Sequence, residues 1–361
     1  MLPWLVQGRQ AGKTTLAKEW ATGLKKEGLF LDLENPLDLA RLETPSLTIT
    51  KDLSYVVLDE IQLKPDLFPF LRSFVDTSER KIPLLILGSA SRDLIRQGAE
   101  SLAGRIGFQE VTPFTLDETG NLDERQLRGG YPLSFLAQND SNSMLWRQEY
   151  IRTFLERDIP NLGFNIPPSA MRRLWEMLAH VHGNILNLTE LGRSLGISDH
   201  TVRRYVDILS GTFVVRTLQP WHENISKRQV RAPKVYIRDT GLLHSLLRIG
   251  SFAELSGHPK GGASWEGHAL EGLLSHFQWP HEDVFFWSTH GGAELDLFVL
   301  ANGKRIGFEF KLTDHPKVTR SMKIALETLK LDELTVVIPG RNIIFELESR
   351  IRVKSLDLIL Q

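Results

Sequence analysis

Residues 8–15 read Gly-Arg-Gln-Ala-Gly-Lys-Thr-Thr, and this stretch decides the fold of the N-terminal region. It follows the apolar run Leu2–Val6 and opens Lys13–Lys26, where apolar residues recur at helical spacing. A glycine-containing loop between a buried strand and a helix directs backbone N–H groups and the helix dipole towards a polyphosphate. We therefore predict a phosphate-binding loop. Its residues are Gly8, Arg9, Gln10, Ala11, Gly12, Lys13, Thr14 and Thr15.

Two side chains of this loop carry the predicted chemistry. Lys13 reaches the β- and γ-phosphates, and the Thr14 hydroxyl is a ligand of Mg²⁺. The usual spacing places the first glycine at position 7, where this chain has Gln7. Two alternatives follow. Either Gly8 supplies the conformational freedom one residue later, or the start of the loop is altered and its nucleotide affinity is lower.

A second acidic motif supports a nucleotide site. Residues 55–60 read Tyr-Val-Val-Leu-Asp-Glu, which predicts a buried strand that ends in two carboxylates. Ligands of doubly wound sheets bind at the carboxyl ends of the strands. Asp59 is predicted to hold Mg²⁺ directly or through water, and Glu60 to orient and deprotonate the attacking water. The alternative is that both acids merely end a strand.

Two further positions extend the predicted site. Ser89 follows the apolar run Pro83–Leu87 and is placed to sense the γ-phosphate, although an ordinary polar turn explains it nearly as well. Arg105 follows Gly104, and arginine stabilises charge on a transferring phosphoryl group. Three alternatives are open for Arg105. It acts on the nucleotide of its own chain, it acts in trans on a neighbouring subunit of a homo-oligomer, or it forms only a surface salt bridge.

The order of elements predicts an α/β multidomain protein. In the first hundred residues, short apolar runs alternate with helical stretches, as in βαβ units with a mainly parallel sheet. We predict an ATPase domain at 1–120, a helical segment with a winged helix at 121–240, and an α/β domain at 241–361.

The winged helix is predicted from residues 188–237. Two short helices flank a turn in which Ser198 caps the second helix, and the strand-like runs Thr212–Leu218 and Lys234–Ile237 follow. A basic stretch with Lys227, Arg228 and Arg231 lies between these runs. Helix, turn, helix and basic hairpin is the outline of a winged helix-turn-helix. Arg203 and Arg204 suit phosphate contact with DNA, but a protein contact is an equal alternative.

The C-terminal region contains an acidic constellation on two successive predicted strands. Asp296 lies on the first and Glu309 and Lys311 on the second, with Glu266 on a preceding helix. Glu309 and Lys311 point to one face because side chains alternate along a strand. Asp296 and Glu309 are predicted metal ligands. Lys311 is predicted to stabilise the negative charge that develops during phosphodiester cleavage. The pattern resembles the restriction-endonuclease-like fold. Two alternatives also explain these residues: ordinary strands with alternating charge, and a nuclease-like fold that does not cleave nucleic acid. His290 and Glu294 are extra candidate ligands or a solvated edge.

Taken together, the motifs resemble the prokaryotic AAA-type ATPases that carry a C-terminal domain of unknown function, and the similarity covers nearly the whole chain. The resemblance rests on Gly8–Thr15, Leu58–Gln62, Leu87–Ser89, Leu102–Arg105, Gly129–Pro132, Phe154–Asp158, Tyr236–Leu243, Trp265–Glu266 and Gly292–Asp296. It implies ATP binding and hydrolysis. Family members usually have a further stretch before the phosphate loop, so a missing N-terminal segment or a start codon assigned too late are open alternatives.

Composition excludes several classes of function. The 361 residues include 43 Lys and Arg against 44 Asp and Glu, so any nucleic-acid contact must come from a local patch. The absence of cysteine excludes disulfides, cysteine zinc sites and thiol nucleophiles. No apolar run approaches the roughly 20 residues that span a bilayer, and residues 1–10 lack a secretory signal pattern. We expect a cytoplasmic protein without a membrane partner.

Two function hypotheses remain. The first is a Mg²⁺-dependent ATPase that acts on, or is regulated by, DNA. The second is a nucleotide-gated interaction switch whose nuclease-like domain is inactive. The presence of both Asp59 and Glu60 favours hydrolysis.

Overall fold

The computed structural model describes residues 2–7, 10–77, 82–89, 102–222 and 230–361, and side chains from residue 10 onward except that of Ser89. Gly8, Arg9, Lys227 and Arg228 therefore lie outside the described residues. The chain divides into two compact units. The first is Met1–Pro113 with Gly211–Phe213, and the second is Phe114–Ser210 with Val214–Gln361. The three predicted domain boundaries stay a prediction. Among the described residues, no helix combines the length and apolarity required to cross a bilayer.

The first unit contains a parallel sheet, as its sequence predicts. The strands are β1 (Leu2–Gln7), β2 (Leu29–Asp32), β3 (Val56–Asp59), β4 (Leu84–Ser89) and β5 (Ile106–Glu110). Their spatial order is β2-β3-β4-β1-β5, with every neighbouring pair parallel. The helices are α1 (Lys13–Gly23), α2 (Pro36–Arg41), α3 (Pro45–Thr48) and α4 (Phe68–Thr77). Because the strands are parallel, the carboxyl ends of β1, β3 and β4 meet at one edge of the sheet.

Burial on both faces explains the continuous apolar runs of these strands. All four residues of β3 are buried. Leu58 and Ile86 pack in one cluster with Leu71 of α4, while Val57 and Leu87 pack with Ala17 of α1. The sheet therefore fixes the start of α1 and the end of β3 in the same rigid core.

The second unit begins with a series of helices. They are α5 (Leu116–Thr119), α6 (Leu122–Arg128), α7 (Pro132–Phe135), α8 (Asp140–Thr153), α9 (Ile159–Asn161) and α10 (Pro168–His180). A π-helical turn, Phe154–Asp158, separates α8 from α9.

A small antiparallel sheet follows. The elements are β6 (Asn184–Ile185), α11 (Leu188–Leu195), α12 (Asp199–Gly211), β7 (Val215–Leu218) and β8 (Lys234–Ile237), and the strand order is β6-β8-β7. Ser198 caps α12, because its hydroxyl accepts a hydrogen bond from the Thr201 N–H at 3.1 Å. The helices and strands thus occur in the predicted order.

The C-terminal part is a second α/β layer. Its helices are α13 (Thr240–Leu247), α14 (Phe252–Gly257), α15 (Gly261–Phe277), α16 (Arg320–Thr328) and α17 (Leu356–Ile359). Its strands are β9 (Val284–Ser288), β10 (Glu294–Ala301), β11 (Lys304–Phe310), β12 (Glu333–Ile338), β13 (Ile344–Glu348) and β14 (Ile351–Ser355). The order is β13-β14-β12-β11-β10-β9. β9, β10 and β11 are antiparallel, and β12 is parallel to β11 and β14.

A buried carboxylate joins α6 and α7 to α13. Asp239 accepts hydrogen bonds from the N–H of Gly130 at 2.7 Å and of Leu242 at 2.9 Å. Gly241 lies so close to this joint that an added Cβ would be 2.1 Å from the carbonyl oxygen of Arg128. Only glycine fits at that position without a shift of the backbone.

This close approach predicts the effect of a single methyl group. Gly241→Ala should lower the free energy of unfolding by about 2 kcal/mol or more, because overpacking against backbone displaces the helix. Gly257→Ala, in α14, is the matched control, since nothing lies within 4 Å of its added Cβ. Urea denaturation of both variants measures the difference. Equal stabilities would contradict the predicted clash.

Candidate functional site

The start of α1 forms the core of the predicted phosphate site. Gly12 precedes the helix with φ 98°, and Gln10 also has a positive φ of 64°. The left-handed region is open to Gly12 at little cost but costs a residue such as Gln10 about 1–2 kcal/mol. Ala11 is buried and Thr15 is exposed. The loop thus turns sharply into the helix, as a phosphate-binding loop requires.

Lys13 is buried beneath this turn and reaches a neighbouring strand. Its Nζ donates a hydrogen bond to the Gly88 carbonyl oxygen of β4 at 3.1 Å. An ammonium group held at the carboxyl edge of the sheet can exchange this carbonyl for phosphate oxygens.

Thr14 and Asp59 are in direct contact, as their predicted shared role requires. The Thr14 hydroxyl donates to Asp59 Oδ2 at 2.6 Å, and Asp59 Oδ1 accepts from the Glu60 N–H at 2.9 Å. Burial raises the pKa of Asp59, whereas these hydrogen bonds and nearby Lys13 lower it by less. A hydroxyl and a carboxylate side by side are the hard oxygen donors that Mg²⁺ prefers. The residues therefore fit a Mg²⁺ site.

Glu60 has an unusual backbone conformation directly after β3. Its φ is 55° and its ψ is 44°, in the left-handed region that non-glycine residues seldom adopt. Its carboxylate accepts a hydrogen bond from the Gln62 side-chain amide. Such backbone strain occurs preferentially at functional sites, where it aims a side chain.

Arg105 lies in a salt bridge on the surface of the first unit. Its Nε and Nη2 donate to Asp76 at 2.5 and 3.0 Å, and Nη1 donates to the Ala103 carbonyl. The hydrogen bond with Asp76 raises the pKa of Arg105. This contact agrees with the salt-bridge alternative, and a role in hydrolysis stays a prediction. The backbone of Ser89 ends β4 next to Gln7 of β1, and its sensor role also stays a prediction.

The C-terminal acids gather around a lysine that the sequence analysis did not select. Lys234 of β8 is only 2% exposed. Its Nζ lies 2.5 Å from Glu294 Oε1, 3.2 Å from Glu266 Oε1 and 3.3 Å from Asp296 Oδ1. Tyr236, two residues along the same strand, donates its hydroxyl to Glu266 at 2.7 Å. We call Glu266, Glu294 and Asp296 the acid cluster.

Glu309 and Lys311 lie beside the acid cluster. Leu297 pairs with Phe308, so Asp296 and Glu309 occupy the next opposed positions of β10 and β11. Lys311 Nζ donates to Glu309 Oε1 at 2.7 Å, while the buried Glu309 Oε2 has no hydrogen-bond partner. Asp296 Oδ2 accepts the Phe310 N–H at 3.0 Å. The predicted residues Asp296, Glu309 and Lys311 are thus brought together.

The electrostatics of this region reflect crowded negative charge. Burial and the Asp296 charge raise the pKa of Glu266 to about 7 and that of Glu309 to about 8. Within the described part of the chain, no group of three or more His, Asp or Glu side chains is arranged to hold a metal ion. Lys234 instead lies between three of the carboxylates. Its long-range position has no local sequence signal, which explains why the sequence analysis missed it.

Three domain families match the chain. An AAA domain matches residues 3–120, and two domains of unknown function, DUF8612 and DUF4143, match residues 119–253 and 261–359. The chain is therefore a multidomain α/β protein with an N-terminal AAA domain, which supports nucleotide binding. The predicted AAA-type class is confirmed at this level.

Two relatives define the family. "Uncharacterized protein Rv2008c" of Mycobacterium tuberculosis and "Uncharacterized protein Mb2031c" of Mycobacterium bovis are each 47% identical over 336 residues. The match covers 92% of this chain and 75% of each relative. The chain belongs to the same family as these mycobacterial proteins.

Two solved structures illustrate a distant similarity. The Thermotoga maritima RuvB Holliday junction branch migration motor has 18% identity and a TM-score of 0.28, covering 60% of this chain and 81% of RuvB. The Bacillus subtilis DNA clamp loader delta protein has 13% identity and a TM-score of 0.27, covering 58% and 84%. Scores this low support no inference about fold or function.

The Thr14–Asp59 contact predicts a specific loss. Thr14→Ala should weaken Mg²⁺-dependent ATP binding roughly tenfold, because one oxygen donor of the site is removed. Thr22→Ala is the matched control, since Thr22 is an exposed threonine of the same helix. Titration of a fluorescent ATP analogue with Mg²⁺ and with EDTA measures the effect. A loss that is equal with and without Mg²⁺ would argue against a metal role for Thr14.

Proposed function

We propose that the protein binds ATP and hydrolyses it in a Mg²⁺-dependent reaction at its N-terminal domain. The observation that carries this proposal is the convergence of Lys13, Thr14 and Asp59 at the edge of the parallel sheet. Glu60 follows Asp59 directly, so a general base stands beside the metal-binding carboxylate. The AAA domain match supports the same activity.

Each side chain has a distinct role in the proposed reaction. Lys13 neutralises charge on the β- and γ-phosphates once it leaves the Gly88 carbonyl. Thr14 and Asp59 would hold Mg²⁺, which supplies positive charge to the phosphate oxygens. Glu60 orients the attacking water and accepts its proton. Its left-handed backbone and the Gln62 hydrogen bond hold the carboxylate in place before substrate binds.

A variant of the base separates binding from hydrolysis. Glu60→Gln should slow ATP turnover about 10²-fold or more with little change in ATP affinity, because the amide still accepts a hydrogen bond but cannot take a proton. Glu19→Gln, an exposed acid of α1, is the matched control. Phosphate release and ATP binding are measured on both. Weaker binding at an unchanged turnover would assign Glu60 a structural role instead.

We further propose that the helices α11 and α12 and the strands β7 and β8 form the winged helix predicted at 188–237, and that it contacts DNA. The order α11, α12, β7, β8, with β7 and β8 antiparallel in the three-stranded sheet β6-β8-β7, supports this assignment. Arg203 and Arg204 are exposed on α12, whose opposite side is buried at Val202 and Val206. Adjacent exposed arginines suit phosphate contact. DNA then acts as partner or regulator of the ATPase.

Charge removal tests the DNA contact. The double variant Arg203→Ala and Arg204→Ala should weaken duplex binding across sequences and lower the salt dependence by about two phosphate contacts. Arg172→Ala with Arg173→Ala removes the same charge from the exposed surface of α10. Fluorescence anisotropy at several salt concentrations measures both. If the two double variants bind alike, α12 is not the DNA-contacting helix.

A second candidate function is a nucleotide-gated interaction switch with an inactive nuclease-like domain. The nuclease-like fold is supported by the antiparallel strands β9–β11, the crossover helix α16 and the parallel strand β12. Asp296 lies on β10, and Glu309 and Lys311 lie at the end of β11. Asp296 and Glu309 would hold a divalent cation there. Lys234 favours an inactive nuclease-like domain, because its ammonium group already contacts the carboxylates of the acid cluster. ATPase assays with and without duplex DNA separate the two functions, since only the first predicts stimulation.

A further inference from the structure

A second aspartate ends the strand next to the one that carries Asp59. Asp32 is the last residue of β2, and the parallel register of β2 and β3 pairs it directly with Asp59. Neighbouring strands lie about 4.8 Å apart, so these two residues are adjacent at the carboxyl edge of the sheet. The sheet therefore brings to the proposed nucleotide site a carboxylate that the sequence analysis did not select.

Both aspartates point to the face of the sheet that α1 covers. Phe30 of β2 and Val57 of β3 pack in the same apolar cluster as Ala17 of α1. Because side chains alternate along a strand, each aspartate, two residues further on, points to this same face. The carboxylates of Asp32 and Asp59 therefore both face α1.

The first turn of α1 lies at the carboxyl ends of these two strands. Lys18 Nζ lies 5.7 Å from the centre of the Phe30 ring, which places the second turn of α1 over β2. Thr14 precedes Lys18 by one turn, and its hydroxyl contacts Asp59 at 2.6 Å. Asp32 thus ends its strand beside the Thr14–Asp59 contact.

The carboxylate of Asp32 is held in place and acts on its neighbour. Its Oδ1 accepts the Glu34 N–H at 3.0 Å, and its backbone N–H donates to Asp38 Oδ2 at 3.2 Å. Burial is the main cause that raises the pKa of Asp59, and the negative charge of Asp32 adds to this effect. A carboxylate has about four acceptor positions, so the hydrogen bond from Glu34 leaves capacity for water molecules.

We propose that Asp32 is a positioning residue of the nucleotide site, whose carboxylate accepts hydrogen bonds from water molecules on the Mg²⁺ that Thr14 and Asp59 would hold. This inference rests on the proposed ATPase function and assigns the Mg²⁺ dependence of its nucleotide binding. Mg²⁺ in proteins keeps several of its waters, and a nearby carboxylate is their natural acceptor. Without the metal, the same negative charge repels the polyphosphate.

The test measures binding of a fluorescent ATP analogue to the full chain, in EDTA and in saturating Mg²⁺. Asp32→Asn keeps an oxygen acceptor for the Glu34 N–H but removes the charge. The variant should bind the analogue about twofold to fivefold more tightly than the parent in EDTA, because the repulsion is gone. In Mg²⁺ it should bind more weakly than the parent, because the waters on the metal lose an anionic acceptor.

These opposite signs distinguish a positioning role from a structural one, since a damaged fold would weaken binding in both conditions. Asp52→Asn is the matched control and should bind like the parent, because this exposed aspartate precedes β3 and so lies towards the other edge of the sheet. If Asp32→Asn does not melt cooperatively, Asp32→Ser replaces it, since the serine hydroxyl can also accept the Glu34 N–H. A folded variant that matches the parent in both conditions, or binds more weakly in both, would overturn the inference.

The parent protein separates this inference from the proposed function. If the parent binds the analogue more tightly in Mg²⁺ than in EDTA and the folded Asp32 variant keeps the whole of that gain, the role of Asp32 is wrong and the Mg²⁺ site stands. If the parent binds no analogue, or binds it equally in both conditions, the proposed Mg²⁺-dependent ATP site is wrong, and the role of Asp32 with it.

Discussion

The second unit depends on one buried carboxylate, that of Asp239. It accepts the Gly130 and Leu242 N–H groups, so it caps α13 and holds the turn before α7 at the same time. Arg147 completes this joint by donating to the carbonyl oxygens of Leu127 and Gly241. Two motifs more than a hundred residues apart, Gly129–Pro132 and Tyr236–Leu243, therefore form one structural element. Buried polar groups of this kind need partners, and the Asp239 carboxylate accepts one N–H from each motif, that of Gly130 and that of Leu242.

The segment that carries Asp239 also carries the charged contacts of the acid cluster. Lys234 and Tyr236 are two apart on β8 and so point to one face, where both contact Glu266 of α15. Five residues further along the same helix, the Glu271 carboxylate accepts hydrogen bonds from the guanidinium groups of Arg216, on β7, and Arg238. Burial alone would raise the pKa of Glu271, but these two arginines lower it to about 2. The small sheet is thus joined to α15 through ion pairs rather than through apolar packing alone.

Local pattern predicted most of the elements but few of these contacts. The strands β1, β3 and β4 follow from the apolar runs at 2–6, 55–58 and 83–87, and Ser198 was identifiable as a cap from its position before the second of two short helices. By contrast, β13 and β14 were missed, although the alternation in Ile351–Ser355 is a strand signal. Lys234 was assigned to a strand, but its partners lie 32 to 62 residues away. No local propensity encodes a contact at that separation, whereas Lys13, Thr14 and Asp59 follow a motif with known spacing.

At both candidate sites the buried charged groups already have partners within the chain, and this property decides how each can bind a ligand. At the N-terminal site the Lys13–Gly88 and Thr14–Asp59 hydrogen bonds each join a charged group to a neutral one, so in the proposed function phosphate and Mg²⁺ would replace one set of contacts with another. At the C-terminal site the exchange is harder, because a ligand must displace a whole buried charge. Burial of an ammonium group without its carboxylates would cost several kcal/mol. Lys234 and its carboxylates therefore stabilise the buried cluster as a unit, which is the physical basis for the inactive alternative of this domain.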